Sequence, residues 1–225
     1  MRPVCRTPTT QIKSKMQAEI LNKKPILIKT KQIIEPILFE TIKIENGKIF
    51  NLNYHQARVN YAYKEFFKTE PKLNLKETLT GYSTDNLYRA KIVYDINGLV
   101  SKDYYIYKQK RISTLLLVEI PNINYKFKYF NRDFLSPLQK QQADEFIITK
   151  NGYLRDTTIA NIALFHTKSQ KWHTPKNPLL QGTTLKQYLE KNELIKTDVH
   201  YKDLTNYSKI ALLNAMINRV ELDLK

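Results

Sequence analysis

Residues 145–161 read EFIITKNGYLRDTTIAN and hold the pattern from which the fold follows. Glu145 to Thr149 and Tyr153 to Arg155 are short runs rich in apolar and β-prone residues, with Asn151-Gly152 between them. Asn-Gly in that setting predicts a hairpin with a type I′ turn, because both turn residues must take φ > 0 and these two types tolerate it. The hairpin leads straight into Asp156, Thr157, Thr158, Ile159, Ala160 and Asn161.

The same signal recurs upstream. Of five glycines in the chain, Gly47 and Gly98 also follow an asparagine. They predict hairpins joining Phe39–Ile44 to Lys48–Asn51 and Arg89–Ile96 to Leu99–Tyr107. Thr114–Ile120 reads as a buried strand. Val59, Ala62, Tyr63, Phe66 and Phe67 recur at helical spacing and predict a helix over about residues 54–68, with Arg58 beside its apolar stripe. Leu185, Tyr188 and Leu189 mark a shorter helix starting near Thr183. Ile210, Leu212 and Leu213, followed by Met216, Ile217 and Val220, predict a strand and then a helix over 208–220. Strands mixed with helices, without a repeat or a Gly/Ser/Pro-rich linker, describe an α/β (α+β) chain whose two halves pack together.

Composition sets the outer limits. The 225 residues can form one large domain or two small ones. No apolar run approaches the roughly 20 residues of a membrane span, so a soluble protein without a membrane partner is expected. The single cysteine, Cys5, permits neither an internal disulfide nor a thiolate metal site, which fits a reducing cytoplasm. The net charge of +16 comes from 37 basic and 21 acidic residues, with lysines spread along the whole chain. That spread describes a solvated surface rather than a specific nucleic-acid site, and the field also favours an acidic substrate. Residues 1–36 stand apart as a basic extension with Arg2, Arg6, Lys13 and Lys15 and no glycine. Ile12, Met16 and Ile20 fall four apart, as on an amphipathic helix. The expected form is a flexible or loosely docked segment.

The chemistry is narrowed by what is missing. His55, His166, His173 and His200 show no metal-ligand spacing, so no metal is expected. Neither a GxSxG elbow nor a GxxxxGK[ST] phosphate loop occurs. Four ordered segments remain: His55-Gln56-Ala57-Arg58 at a helix start, Lys128-Tyr129-Phe130-Asn131-Arg132, Asp156 through Asn161, and Gly182-Thr183-Thr184 at another helix start.

With Leu38-Phe39-Glu40-Thr41-Ile42, these segments resemble the class IV aminotransferases, which have the pyridoxal-phosphate fold type IV. The likeness runs from about Ile37 to Val220 and is strongest toward aminodeoxychorismate lyase and its short relatives. It implies a small N-terminal α/β domain over 37–121, a larger cofactor-binding domain over 122–225, the site between them, and a homodimer. Pyridoxal 5′-phosphate needs an amine, a basic group for its phosphate and an acid for its ring nitrogen. The resemblance gives these parts to Lys128, Arg58 and Asp156, and adds Asn161, Thr183 and Thr184 as cofactor contacts. Aromatic neighbours would desolvate Lys128 and favour its neutral amine. By alternation alone, Lys126 shares its strand face. Asp156 stands where many relatives have Glu, and Leu185 where many have Arg. For the carboxylates of an amino substrate, Arg89 is a candidate, with a strand-end ion pair as its other reading.

Two reactions of the family use the same residues. One is the lyase that makes 4-aminobenzoate and pyruvate for folate biosynthesis, which the short core favours. The other is transamination of branched-chain or D-amino acids. A reading from another class is a non-catalytic basic binding protein.

Overall fold

The computed structural model describes residues 16–33 and 35–225. Two short strands, β1 (Gln17–Ile20) and β2 (Ile26–Leu27), come first. Then β3 (Leu38–Glu45), β4 (Lys48–Ile49), β5 (Leu87–Asp95) and β6 (Gly98–Ile106) form an antiparallel sheet in the order β4-β3-β5-β6. Helix α1 (Leu52–Ala62), a π-helical turn at Tyr63–Phe67 and α2 (Leu75–Thr78) cover it. Ile42, Ile44, Val59, Tyr63, Leu75 and Ile92 meet there in one buried core. The predicted stripe is therefore right, but the helix widens at Tyr63 instead of running regularly to residue 68.

The second sheet is built from β7 (Thr114–Glu119), β8 (Glu145–Lys150), β9 (Tyr153–Thr157), β10 (Asn161–His166), β11 (Lys171–Pro175), β12 (Ile195–Thr197), β13 (Tyr207–Asn214) and β14 (Asn218–Leu224). Its order is β12-β11-β10-β13-β14-β1-β7-β8-β9, with β2 beside β7. β9 also pairs with β10 through Asp156 and Asn161, so the path from β10 round to β9 closes on itself. Leu117, Ile147, Ile162, Leu164, Ile210 and Leu212 fill the ring. Helix α3 (Thr183–Glu190) packs on β13. The change from one sheet to the other falls between β6 and β7, ahead of the expected boundary at residue 121, because β7 pairs in register with β8.

Three local expectations change. Asn46-Gly47 and Asn151-Gly152 have positive φ at both residues, but in the third hairpin only Gly98 does. The Asn97 N–H is held instead by the Asp95 carboxylate at 2.7 Å, so this turn is not type I′. Over 208–220 the chain makes a β13–β14 hairpin, not a strand and a helix. There the Asn214 side chain accepts from the Met216 and Ile217 N–H groups at 2.9 and 3.0 Å, and Asn218 takes φ 55°. Turn chemistry thus overrides a helical spacing.

The third change concerns the extension. Ile12 and the early basic residues lie outside the described residues, but Ile20 is in a strand. β1 runs parallel to both β14 and β7, and Asn22 clamps the backbone of Leu117 through two hydrogen bonds of 2.8 and 3.0 Å. From residue 17 this segment is part of the ring, not a loose appendage.

Candidate active site

Lys128 is placed by backbone pairing across the two halves. The segment that carries it lies against the start of β3: Phe39 N–H donates to the Lys128 carbonyl at 3.0 Å and Phe130 N–H to that of Ile37 at 2.9 Å. Phe127 and Tyr129 point into the first core. Lys128 turns the other way, into a cleft of about 550 Å³ between the sheets, with its Nζ 4.4 Å from the centre of the Phe39 ring. Burial, then the Arg58 and Arg132 charges, lower its pKa to about 7 against a small opposing pull from Glu40. Lys126 is exposed and lies outside the cleft wall, near Tyr61 and Phe127. Burial thus separates two lysines that alternation left equal.

Asp156 faces the same cleft from the end of β9 and is 4% exposed. Its carboxylate accepts from Leu180 N–H at 2.9 Å and Asn161 Nδ2 at 2.8 Å. Burial nevertheless raises its pKa to about 7, because neutral donors offset only part of the desolvation. A cation opposite it would restore the charge. Asn161 also donates to the Leu180 carbonyl at 2.7 Å and accepts from Gly182 N–H at 3.1 Å. With these bonds made, Asn161 orients Asp156 and the turn before α3. Gly182 is required by that approach, since a Cβ there would lie 2.1 Å from Asn161 Oδ1.

Thr183 lines the cleft at the first turn of α3, where free N–H groups and the helix dipole favour an anion. Thr184 lies outside the wall, fully buried, and its hydroxyl has no partner among the described residues. Leu185 is buried among Ala163, Leu194, Ala211 and Leu213, so the position that carries Arg in many relatives is a core position here.

Arg58 enters from α1. Its Nε and Nη2 donate to the two oxygens of Glu40 at 2.8 and 2.5 Å, and His55 Nδ1 lies 2.6 Å from the same carboxylate. Burial alone would raise the Glu40 pKa, but Arg58 and the hydrogen bonds from His55 and Arg58 outweigh it and hold it at about 2. Arg89 reaches the wall from β5, against the face of Tyr105, with its Nε buried and unpartnered. Among the described residues no ion pair engages it, which leaves it available to a ligand.

Sequence reading assigned no role to Glu40, Arg132 or Glu145. Arg132 donates to the Thr158 carbonyl and lies over Tyr125. Glu145 accepts from Thr158 N–H at 2.9 Å and from its hydroxyl at 2.5 Å, shaping the loop after Asp156. Their places follow from burial and from contacts between segments distant in the chain, which no local sequence pattern marks. The set comprises a depressed amine, an acid lacking its counter-charge, a forked guanidinium and an anion-favouring helix start. It suits a phosphorylated heteroaromatic aldehyde.

Comparison with known proteins agrees. Residues 37–221 match the family model for amino-transferase class IV, and the chain belongs to that family. It is 34% identical over 185 residues to an uncharacterised protein of Haemophilus influenzae, covering 80% of this chain and 97% of that one. A crystal structure from Haemophilus somnus, provisionally assigned as a 4-amino-4-deoxychorismate lyase, is 31% identical with a TM-score of 0.72 and matches 83% of this chain and 100% of its own. The pyridoxal-phosphate-bound form of a hypothetical aminotransferase from Mycobacterium tuberculosis shares the fold, with TM-score 0.67, 14% identity, and 84% and 81% of the two chains covered.

Proposed function

We propose that this protein is a pyridoxal-phosphate-dependent 4-amino-4-deoxychorismate lyase that releases 4-aminobenzoate and pyruvate. The observation that carries the reading is the meeting in one cleft of the Lys128 amine, lowered to about 7, with Asp156 and Arg58. The likeness to the Haemophilus somnus chain over its whole length favours the lyase within the family.

Lys128 would attach the cofactor, Asp156 would face its ring nitrogen, and Arg58 with the Thr183 end of α3 would hold its phosphate. When bound, the cofactor supplies an electron sink for the pair left behind by a departing proton. Burial and the Arg58 and Arg132 charges favour the neutral form of Lys128 Nζ, so it can take the proton from the carbon that bears the substrate nitrogen. Asp156 holds the compensating negative charge, fixed by Leu180 and Asn161. Arg89 meets a substrate carboxylate, in a wall that also carries Lys108 and Lys110. With the proton on Lys128, the neighbouring carbon–oxygen bond breaks. The enolpyruvyl group leaves as pyruvate after protonation, and the ring becomes aromatic.

The subunits pair as a homodimer in the cytoplasm. Support comes from Leu99, Val100, Tyr105 and Ile106, exposed apolar side chains on the edge strand β6. Among the described residues no helix is long and apolar enough to cross a membrane.

Assay of one preparation tests the reaction. With 4-amino-4-deoxychorismate alone, many turnovers to 4-aminobenzoate and pyruvate are expected without any 2-oxo acid. A branched-chain or D-amino acid aminotransferase stops after one half-reaction until an acceptor is added. Acceptor-dependent amino exchange with no 4-aminobenzoate would overturn the lyase and leave the cofactor assignment in place.

A further inference from the structure

We infer that Glu40 is a positioning residue, whose one carboxylate aims the Arg58 fork and tempers the positive field at Lys128. The inference rests on the roles given above to Arg58 and Lys128.

Glu40 is fully buried on β3 and accepts three hydrogen bonds, two from Arg58 and one from His55. A buried carboxylate with one partner removed is costly, so the three groups act as a unit. Engagement of both Nε and Nη2 fixes the plane of the guanidinium, as a single contact would not. Both Nη1 hydrogens and one on Nη2 stay free for a ligand. Arg58 borders the cleft, so the fork is held from behind while its free edge serves the site.

His55 completes the arrangement. An ionised carboxylate only accepts, so the proton between the two groups belongs to Nδ1. Burial lowers the pKa of His55 despite the raising effect of Glu40, which leaves the ring neutral, and its buried Nε2 has no partner among the described residues. The trio of Glu40, Arg58 and His55 is then neutral overall. Glu40 also follows Phe39, whose N–H is bonded to the Lys128 carbonyl, so the trio and Lys128 share one frame. Other charges around the cleft are Arg132, Arg89 from β5, Lys108 and Lys110 after β6, Asp144 and Glu145 at the start of β8, and Asp156 from β9. Among the described residues Glu40 is the acid that raises the Lys128 pKa, against Arg58 and Arg132.

A buried ion pair that merely supports packing would make Glu40 matter for stability alone. The cofactor-free protein separates the two roles. Acylation of Lys128 by a trace amine-directed reagent, quantified on its peptide across a pH series, reads its titration directly. Binding of inorganic phosphate by calorimetry reads the fork. In the parent the midpoint is expected near 7. Glu40→Gln is expected to move the midpoint to lower pH and to weaken phosphate by about tenfold, since a charged, bidentate partner is lost. Glu40→Asp keeps the charge but withdraws it by one methylene, so phosphate weakens while the midpoint stays near that of the parent. Ile92→Val, in the core beside β3, lowers the melting temperature and moves neither readout. A folded Glu40→Gln with parental midpoint and phosphate affinity overturns the inference. If Glu40→Gln does not fold, parental phosphate binding by Glu40→Asp overturns it. A parent midpoint near 10.5 would remove the role of Lys128 itself and is recognisable before any variant is made.

Discussion

Burial of a single carboxylate gives Asp156 a pH signature that can be read apart from activity. Its folded pKa, raised to about 7, lies above its unfolded value of 3.8. Between those values the folded chain keeps a proton that the unfolded chain has lost, so this contribution falls as pH rises through the window. His55, whose pKa is lowered, contributes with the opposite sign below its ordinary value, so the comparison must be made against a variant. Cofactor-free Asp156→Asn is expected to gain stability relative to the parent as pH rises from about 4 to 7, by on the order of a few kcal/mol. Urea denaturation at several pH values measures it, and a constant difference would mean that the acid is not desolvated. The loaded variant should lose most turnover, because no anion then faces the ring nitrogen. Lys128, Arg58 and Asp156, which line one cleft, stood out in the sequence because each sits in a short ordered motif. Lys126 could not be set aside, since only burial tells it from Lys128. The role of Glu40 was invisible, as it depends on β3 and α1 meeting 15 to 18 residues apart in the chain.

Elements set by adjacent residues were read from the sequence, and those set by distant partners were not. The Asn46-Gly47 and Asn151-Gly152 hairpins carry their own turn chemistry. Met216, Ile217 and Val220 suit a helix as well as a strand, and the choice fell to Asn214 and Asn218, which make a tight turn. The start of α3 depends on a similar detail. Gly182 has ordinary φ and ψ, so any residue could adopt its backbone, but its neighbour Asn161 leaves no space for a Cβ. Gly182→Ala should therefore displace the Asn161 amide, destabilise the protein by about 1–3 kcal/mol and weaken phosphate binding at α3. Asn161→Ala frees that space. In the double variant the cost of Gly182→Ala should largely vanish, and thermal unfolding of the four proteins gives the coupling. Additive losses would mean that Asn161 and Gly182 do not constrain each other.

The whole molecule is held by a ring that its first described residues help to close. β1 has four residues, and its partners β7 and β14 lie about half a chain and a whole chain away. No local pattern marks so short a strand, and four-residue spacing suggested a helix instead. Residues 17–36 precede the family match, which covers 37–221. A chain beginning at residue 29 should lose the Asn22 clamp on Leu117 and expose the facing edges of β7 and β14. Lower melting temperature and concentration-dependent association are expected, measurable by calorimetry and light scattering. A monodisperse truncated chain with parental stability would contradict a structural role for β1.

One measurement bears most directly on the site as a whole: the lysine that pyridoxal phosphate joins. The protein is mixed with the cofactor, reduced with borohydride, digested and mapped by mass spectrometry. The expected result is a visible absorption band before reduction and a single modified peptide bearing Lys128, absent in Lys128→Ala. Modification at Lys126, scattered labelling of surface lysines, or no cofactor uptake would contradict an active site built on Lys128.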